Sequence, residues 1–403
     1  MQDEKTSKKI TALFCFFMYP VMLRCPALIS YAIIYGIPLC YLLFHIRLFR
    51  VISKRQWMVL GLCAAMLPLC VAYPMLHETG DYSYITTATF VFRKLIIYVF
   101  LACVLAKRYQ GRASAELFYY YFALAAAIYV IGTLCLVFIP GLQPLWLGMF
   151  RETIERSGNL SESFGYTFRI GWQGFAGFRV TFRCTLGCLF ALYLFYCEDS
   201  GVRLKRPVFL VLYGLCLLGN MFYGRSGLAV TLAASAAAVV VWNRRHMQNC
   251  VWFALCGALF LGSVWALREV PVISDWYIWM SKPFVNLFTT GRFDNVSLSA
   301  LVDSTFMPDL DTILFGDGYY TFEGKYYMGT DSGIMRNILF WGIAGALVSY
   351  GAALCAVWDV RRKSVLLFLL VIGSFAAFEY KGDMYYEYIT LFLSVSFVET
   401  LRR

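Results

Sequence analysis

Long apolar runs recur along the chain, broken by short polar segments. A membrane-crossing helix needs about 20 mostly apolar residues, so the pattern predicts a polytopic helical bundle. Twelve spans are expected, at about 10–23, 28–46, 57–73, 86–106, 115–138, 182–197, 207–222, 227–242, 251–267, 338–358, 365–378 and 389–398. Several of these cores are short and need interfacial flanks, local thinning or shielding by neighbouring helices to cross.

Composition agrees with that pattern. Of 403 residues, 60% are hydrophobic and only 15% charged, against about 25% charged in soluble domains. A cytoplasmic enzyme, a disordered chain and a nucleic-acid-binding domain are poor fits. The 14 cysteines are scattered, mostly inside apolar runs (Cys63, Cys70, Cys103, Cys216). They read as small core residues, and no CxxC pair suggests a metal or redox site. No removable signal peptide is expected.

The net charge of +11 matters less than where it falls. With the N-terminus placed inside, the cytoplasmic ends and loops hold 20 of the 35 basic residues and 7 of the 24 acidic ones. Cytoplasmic loops carry the Lys/Arg excess, so the alternation predicts twelve spans with both termini cytoplasmic. Two large segments then face outward, at about 140–181 and 268–339. Connections this long fold into something or cover something. Trp146, Phe150, Trp276 and Trp279 in them suggest short helices on the membrane surface.

The outward half holds isolated arginines among glycines and aromatics. Arg169 precedes Ile170-Gly171-Trp172, and Arg179 and Arg183 lie close to the following span. Arg225 sits in the turn Gly224-Arg225-Ser226-Gly227, Arg292 follows Gly291, and Arg336 ends Thr330-Asp331-Ser332-Gly333-Ile334-Met335-Arg336. Guanidinium makes bidentate pairs with phosphate oxygens, so the set is a candidate anion site. Snorkelling or pairing with aspartates is the competing reading, above all for Arg183 and Arg336. Arg93 and Lys94 fall about 10 Å into the fourth span at 1.5 Å per residue. They either face the bundle or sit at the interface of a span that starts later.

Asp331 is a candidate base, with helix capping or orientation of Arg336 as its structural alternatives. His77, the one outward histidine, is the other candidate base. Glu379 and Lys381 flank an outward turn with no assigned role. Tyr319, Tyr320, Tyr326 and Tyr327 suit stacking on sugar rings as well as an interfacial belt. The D-x-D at Asp309 and Asp311 has metal-binding spacing but reads as a solvated surface pair. No metal and no cofactor are expected, and phosphate-loop, zinc, Ser-His-Asp and dinucleotide motifs are absent.

Three short motifs and one longer stretch carry a resemblance. They are Arg169-Ile170-Gly171, Gly224-Arg225-Ser226-Gly227 and Gly291-Arg292-Phe293, then Leu314-Phe315-Gly316-Asp317-Gly318 with residues 330–336 and Leu339-Phe340-Trp341-Gly342-Ile343-Ala344-Gly345. In these and in its layout the chain resembles bacterial O-antigen polymerases of the Wzy type, though Ile334 stands where that family tends to have tyrosine. The resemblance implies one transmembrane glycosyltransferase domain over 1–403, of the all-helical class using lipid-linked donors. It implies an inner-membrane protein with a periplasmic active site that polymerises undecaprenyl pyrophosphate-linked oligosaccharides. Arg169, Arg225, Arg292 and Arg336 would hold pyrophosphate, with Arg93, Lys94, Arg179 and Arg183 as further anion contacts. The implied partners are membrane lipids and a chain-length-regulating polysaccharide co-polymerase. An O-antigen ligase, which shares the donor, and a flippase for the lipid-linked unit are the rival readings. A ligase is expected to carry a clear histidine in its second large outer loop, and none lies between His246 and Arg403.

Overall fold

The computed structural model describes residues 2–22, 25–149, 169–197, 201–242, 262, 265–266, 268–291 and 306–402. In chain order the helices are α1 (Gln2–Met18), α2 (Ala27–Tyr31), α3 (Ile37–Phe44), α4 (Lys54–Leu76), α5 (Tyr84–Tyr109) and α6 (Ala115–Phe138). Next come α7 (Leu142–Leu147), α8 (Phe178–Tyr196), α9 (Arg206–Tyr223), α10 (Arg225–Trp242) and α11 (Pro271–Thr290). The last are α12 (Leu310–Phe315), α13 (Gly333–Val357), α14 (Val365–Lys381) and α15 (Tyr385–Leu401). A π-type turn, Ala32–Gly36, joins α2 to α3. Sheet among the described residues is limited to β1 (Ile170–Gly171) with β2 (Gly174–Phe175) and β3 (Thr321–Phe322) with β4 (Lys325–Tyr326), both antiparallel.

This is an all-α polytopic membrane protein. Eight helical stretches among the described residues are long and apolar enough to cross a membrane: Ala27–Phe44, α4, α5, α6, α8, α9, α10 and Gly333–Arg362. Helices α1, α14 and α15 have 17 residues each. Most of the expected span at 251–267 lies outside the described residues. Two expected boundaries move. The α8 helix begins at Phe178 and α13 at Gly333, so Arg179 and Arg336 lie inside helices and not in the loops before them, as Arg183 does within the span expected for it. The expected surface stretch around Trp276 is part of the 20-residue helix α11. There Trp276 is buried and donates to Met221 O (3.1 Å). Phe150 lies outside the described residues.

The chain divides into two compact units, Met1–Ile34 with Tyr119–Asn295, and Tyr35–Phe118 with Val296–Arg403. In the first, α8, α9 and α10 pack closely. Lipid tails are as apolar as leucine, so helices associate through tight packing over small residues. A Cβ on Gly187 would come within 2.8 Å of Cys216 Sγ, and one on Gly219 within 2.7 Å of Cys184 Sγ. The buried cysteines Cys184, Cys188 and Cys216 are free thiols and fill this seam as small packing residues.

In the second unit, α5 packs on α15, and α13 packs on α4, α12, α14 and α15. One end is tied by ion pairs. Lys363 reaches Glu116 (3.0 Å) and Glu399 (3.2 Å), Arg55 pairs with Asp359, and Lys107 Nζ lies 3.1 Å from His45 Nε2. All of these except His45 belong to the half that charge counting places in the cytoplasm, and His45 sits at its edge.

Helix α13 is interrupted at Trp341 (φ −134°, ψ 16°) and Gly342 (φ 67°, ψ −170°). The break removes the usual partners of the carbonyls before it. A loop closes the gap: Asp317 N donates to Leu339 O (2.7 Å) and Gly318 N to Phe340 O (3.1 Å). Backbone must approach backbone for this, and Gly316 (φ 72°) permits it. A Cβ there would lie 2.6 Å from Gly342 N and 2.7 Å from Phe340 O. The glycines of Gly316-Asp317-Gly318 and of Trp341-Gly342 are thus two halves of one joint. Interrupted backbone at membrane depth is tolerated only where protein re-satisfies it.

Candidate functional site

The second unit assembles its polar residues beside this joint. Arg336, in the first turn of α13, is only 7% exposed. Its Nη2 donates to the Tyr320 hydroxyl, and that hydroxyl donates to Asp383 Oδ2 (3.0 Å). The guanidinium carbon lies 4.3 Å from the Tyr320 ring centroid and 3.7 Å from that of Tyr326. Arg336 Nε is buried without a hydrogen-bond partner. The site is therefore an arginine between two aromatic faces. The inner face is the buried Tyr320, and the outer is Tyr326, 43% exposed.

Local chemistry sets up both faces. Glu323 (φ 50°) and Gly324 (φ 75°) make the two-residue turn between β3 and β4. Positive φ at both central positions is the signature of a type I′ hairpin, which carries Tyr326 back over Arg336. Asp81 anchors the other end of the segment. Its Oδ2 accepts from Tyr320 N (2.7 Å) and Thr321 N (2.6 Å), and its Oδ1 from Ser83 N (3.0 Å). Tyr319 stacks on Tyr327 with ring centroids 5.0 Å apart.

A buried network continues behind Arg336. Glu379, 2% exposed, accepts from Met384 N (2.8 Å) and from the Tyr350 hydroxyl (3.1 Å). Asn337 accepts from the Tyr84 hydroxyl (2.6 Å), and Tyr84 stacks on Phe340 (4.5 Å). Gly333 leaves room for Glu379, since a Cβ would lie 2.6 Å from its Oε1.

Asp331 and His77 stand outside this interior. Asp331 is exposed, and the cap of α13 is its neighbour Ser332, which accepts from Met335 N. Orientation of Arg336 falls to Tyr320, not to Asp331. His77, exposed at the end of α4, stacks on Tyr73 (6.0 Å) and lies against Gly318, whose added Cβ would come 2.9 Å from His77 Cβ. The two charges inside α5 diverge. Lys94 is buried 3.6 Å from Glu387 of α15, whereas Arg93 turns back to Thr86 O (3.2 Å) and over Phe90.

The first unit gathers two more of the arginines. Arg169 donates through Nε and Nη2 to Tyr223 O (3.2 and 3.0 Å) and lies 5.8 Å from the Trp279 ring. Arg225, the first residue of α10, donates to Trp279 O (2.9 Å) and lies 4.5 Å from the same ring. The glycines flanking Arg225 fit against Thr181 of α8. Arg183 is fully buried over Tyr19 (4.9 Å), and Arg179 is exposed. Arg292 lies outside the described residues.

Asp309 is the cap of α12, its Oδ1 accepting from Thr312 N (2.8 Å). Hydrogen bonds from the Thr312 side chain and backbone hold its carboxyl below the usual range. Among the described residues no three His, Cys, Asp or Glu side chains gather as a metal would require.

Sequence reasoning missed Asp81, Asp383, Asn337 and Tyr84. A faint signal existed for the first two, since each is an acidic residue in a short turn just before a helix. The partnerships themselves run between residues far apart in sequence. No protein-family model, no curated protein and no solved structure matches this chain.

Proposed function

We propose that this protein is a Wzy-type O-antigen polymerase of the bacterial inner membrane. It would span twelve times with both ends cytoplasmic and work on the periplasmic side. The growing glycan leaves undecaprenyl pyrophosphate and joins the non-reducing end of a new lipid-linked repeat. The bond from anomeric carbon to pyrophosphate oxygen breaks, a glycosidic bond to the acceptor hydroxyl forms, and that hydroxyl's proton passes to a base.

The observation that carries this reading is Arg336, a buried guanidinium with an unpartnered Nε between two tyrosine faces. Fixed positive charge in a desolvated site stabilises a departing pyrophosphate, and aromatic faces beside it suit sugar rings. Arg169 and Arg225, both on Trp279, supply a second cationic patch of the same design. Asp331 and His77, both exposed, are the candidate bases.

Purified protein given synthetic lipid-linked repeat is expected to produce a ladder of lengths. Transfer confined to lipid A-core would mark a ligase instead, and lipid translocation without transfer a flippase. A chain-length-regulating co-polymerase is the expected protein partner.

The topology is testable in the same membranes. In the second unit, groups assigned outward by charge counting (His77, Asp81, Arg336, Glu379, Asp383) cluster, as do those assigned inward, which supports the alternation. Cysteines introduced at Ser161 and Gly324 are expected to label from the periplasm, and cytoplasmic labelling of either overturns the arrangement.

Metal independence follows from the arginines, which already offer the charge that magnesium would supply. Activity is expected to persist in excess EDTA, and an Asp309→Ala/Asp311→Ala double variant to polymerise despite losing the α12 cap. Loss in EDTA that magnesium or manganese restores would place those aspartates in the site.

A further inference from the structure

The first unit contains a cavity of about 620 Å³ whose described lining includes neither of the arginines on Trp279. One wall is a stripe along α1: Ser7, Lys8, Thr11, Ala12, Cys15 and Phe16. Those positions recur at helical spacing on one face, and Ser7 to Phe16 runs about 14 Å along the axis at 1.5 Å per residue. The facing wall is hydrocarbon, from Val21, Ile33, Ile34 and Ile128. Trp146 and Trp172 stand in the lining as well, joined by a hydrogen bond from Trp146 Nε1 to Trp172 O (3.0 Å).

The polar groups of the slot select its ligand. Thr11 Oγ1 donates to Ser7 O (2.9 Å), Ser7 Oγ accepts from Tyr121, and Ser30 Oγ meets Cys25 Sγ (3.3 Å). Tyr19 Oη and Trp172 Nε1, also in the lining, are buried without a hydrogen-bond partner; with the other hydroxyls engaged inside the protein, the remaining wall asks for hydrocarbon. Among the described residues of the lining the one charge is Lys8, which is exposed and followed by the exposed Lys9. A long apolar slot with a cation at one end matches a chain with an anionic head.

We propose that this slot holds one acyl chain of an anionic phospholipid, with its phosphate at Lys8. Size favours an acyl chain over a polyprenyl one. A methylene takes about the room of a water molecule, ~30 Å³, so the cavity holds roughly twenty carbons. That is one fatty-acyl chain, and a long polyprenyl tail overfills it. Basic residues beside a membrane draw anionic lipid headgroups, which fits the Lys8 end. The site does not depend on the polymerase reading.

The test is lipid retention through purification, measured by native mass spectrometry and by extraction after exchange into nanodiscs with equal phosphatidylglycerol and phosphatidylcholine. Wild type is expected to keep one phosphatidylglycerol per chain. Ala12→Trp, which fills the slot, is expected to lose it, and Ile128→Trp to do the same from the opposite wall. Lys8→Glu is expected to cut the preference for phosphatidylglycerol at least five-fold, and Lys9→Glu to leave it unchanged. If Ala12→Trp fails to fold, Ile128→Trp decides. Wild-type retention in a folded slot-filled variant, an unchanged preference in Lys8→Glu, or a retained molecule that proves to be polyprenyl phosphate would each overturn the proposal.

Discussion

Arg336→Ala is expected to abolish long polymer, with chain extension falling about 10²–10³-fold, the usual loss when one preorganised donor to a developing charge is removed. Arg336→Lys should recover only a small part of it. Lysine keeps the charge, but a point charge on a flexible stem cannot donate to Tyr320 and present a second nitrogen to an anion at once. Stacking is lost too, since the guanidinium plane lies against both Tyr320 and Tyr326. Loss of fold is separated from loss of chemistry by the elution profile of each variant in detergent. Arg169→Ala, Arg225→Ala and Arg292→Ala are expected to shorten or abolish the ladder in the same assay. Full-length polymer from all four alanine variants would remove the anion-site reading.

Gly316→Ala is expected to destabilise the second unit by about 2–6 kcal/mol. A backbone conformation that essentially only glycine adopts (φ 72°, ψ 169°) strains a residue with a side chain by roughly 1–3 kcal/mol, and overpacking adds about 1–3 kcal/mol. The new Cβ meets backbone on three sides, at Gly342 N, Phe340 O and Trp341 N. Backbone cannot rotate away as a side chain does. Relief requires pulling the loop off α13, and the carbonyls of Leu339 and Phe340 then lose their donors, at about 1–3 kcal/mol for each buried group left unsatisfied. Gly324→Ala is the open-space control. Gly324 also has positive φ (75°) but nothing within 4 Å of its added Cβ, so it should show a conformational cost without the overpacking. Thermal unfolding of the two variants in one detergent measures the difference, and equal destabilisation would mean that the loop–helix joint contributes nothing.

Membrane class and helix placement were legible in the residues alone. Inside a bilayer every backbone group must be satisfied within its own segment, so a long apolar run has one structural outcome. For that reason the spans expected at 57–73, 115–138 and 207–222 fall on α4, α6 and α9. Boundaries went astray where charged residues lie inside a helix, as at Arg179 and Arg336. A hydropathy pattern reads charge as loop, whereas the folded chain carries both inside helices and buries Arg336 against aromatics. The glycine motifs were visible as motifs, but their purpose was not. That Gly316 meets Gly342, that Gly333 makes room for Glu379, and that Asp81 holds the backbone of Tyr320 are facts about segments far apart in sequence. Only tertiary packing decides which arginine is enclosed and which is exposed, because enclosure depends on what the rest of the chain brings to it. Arg336 and Arg179 look alike as isolated basic residues near a helix start, yet one is wrapped by two tyrosines and the other is exposed.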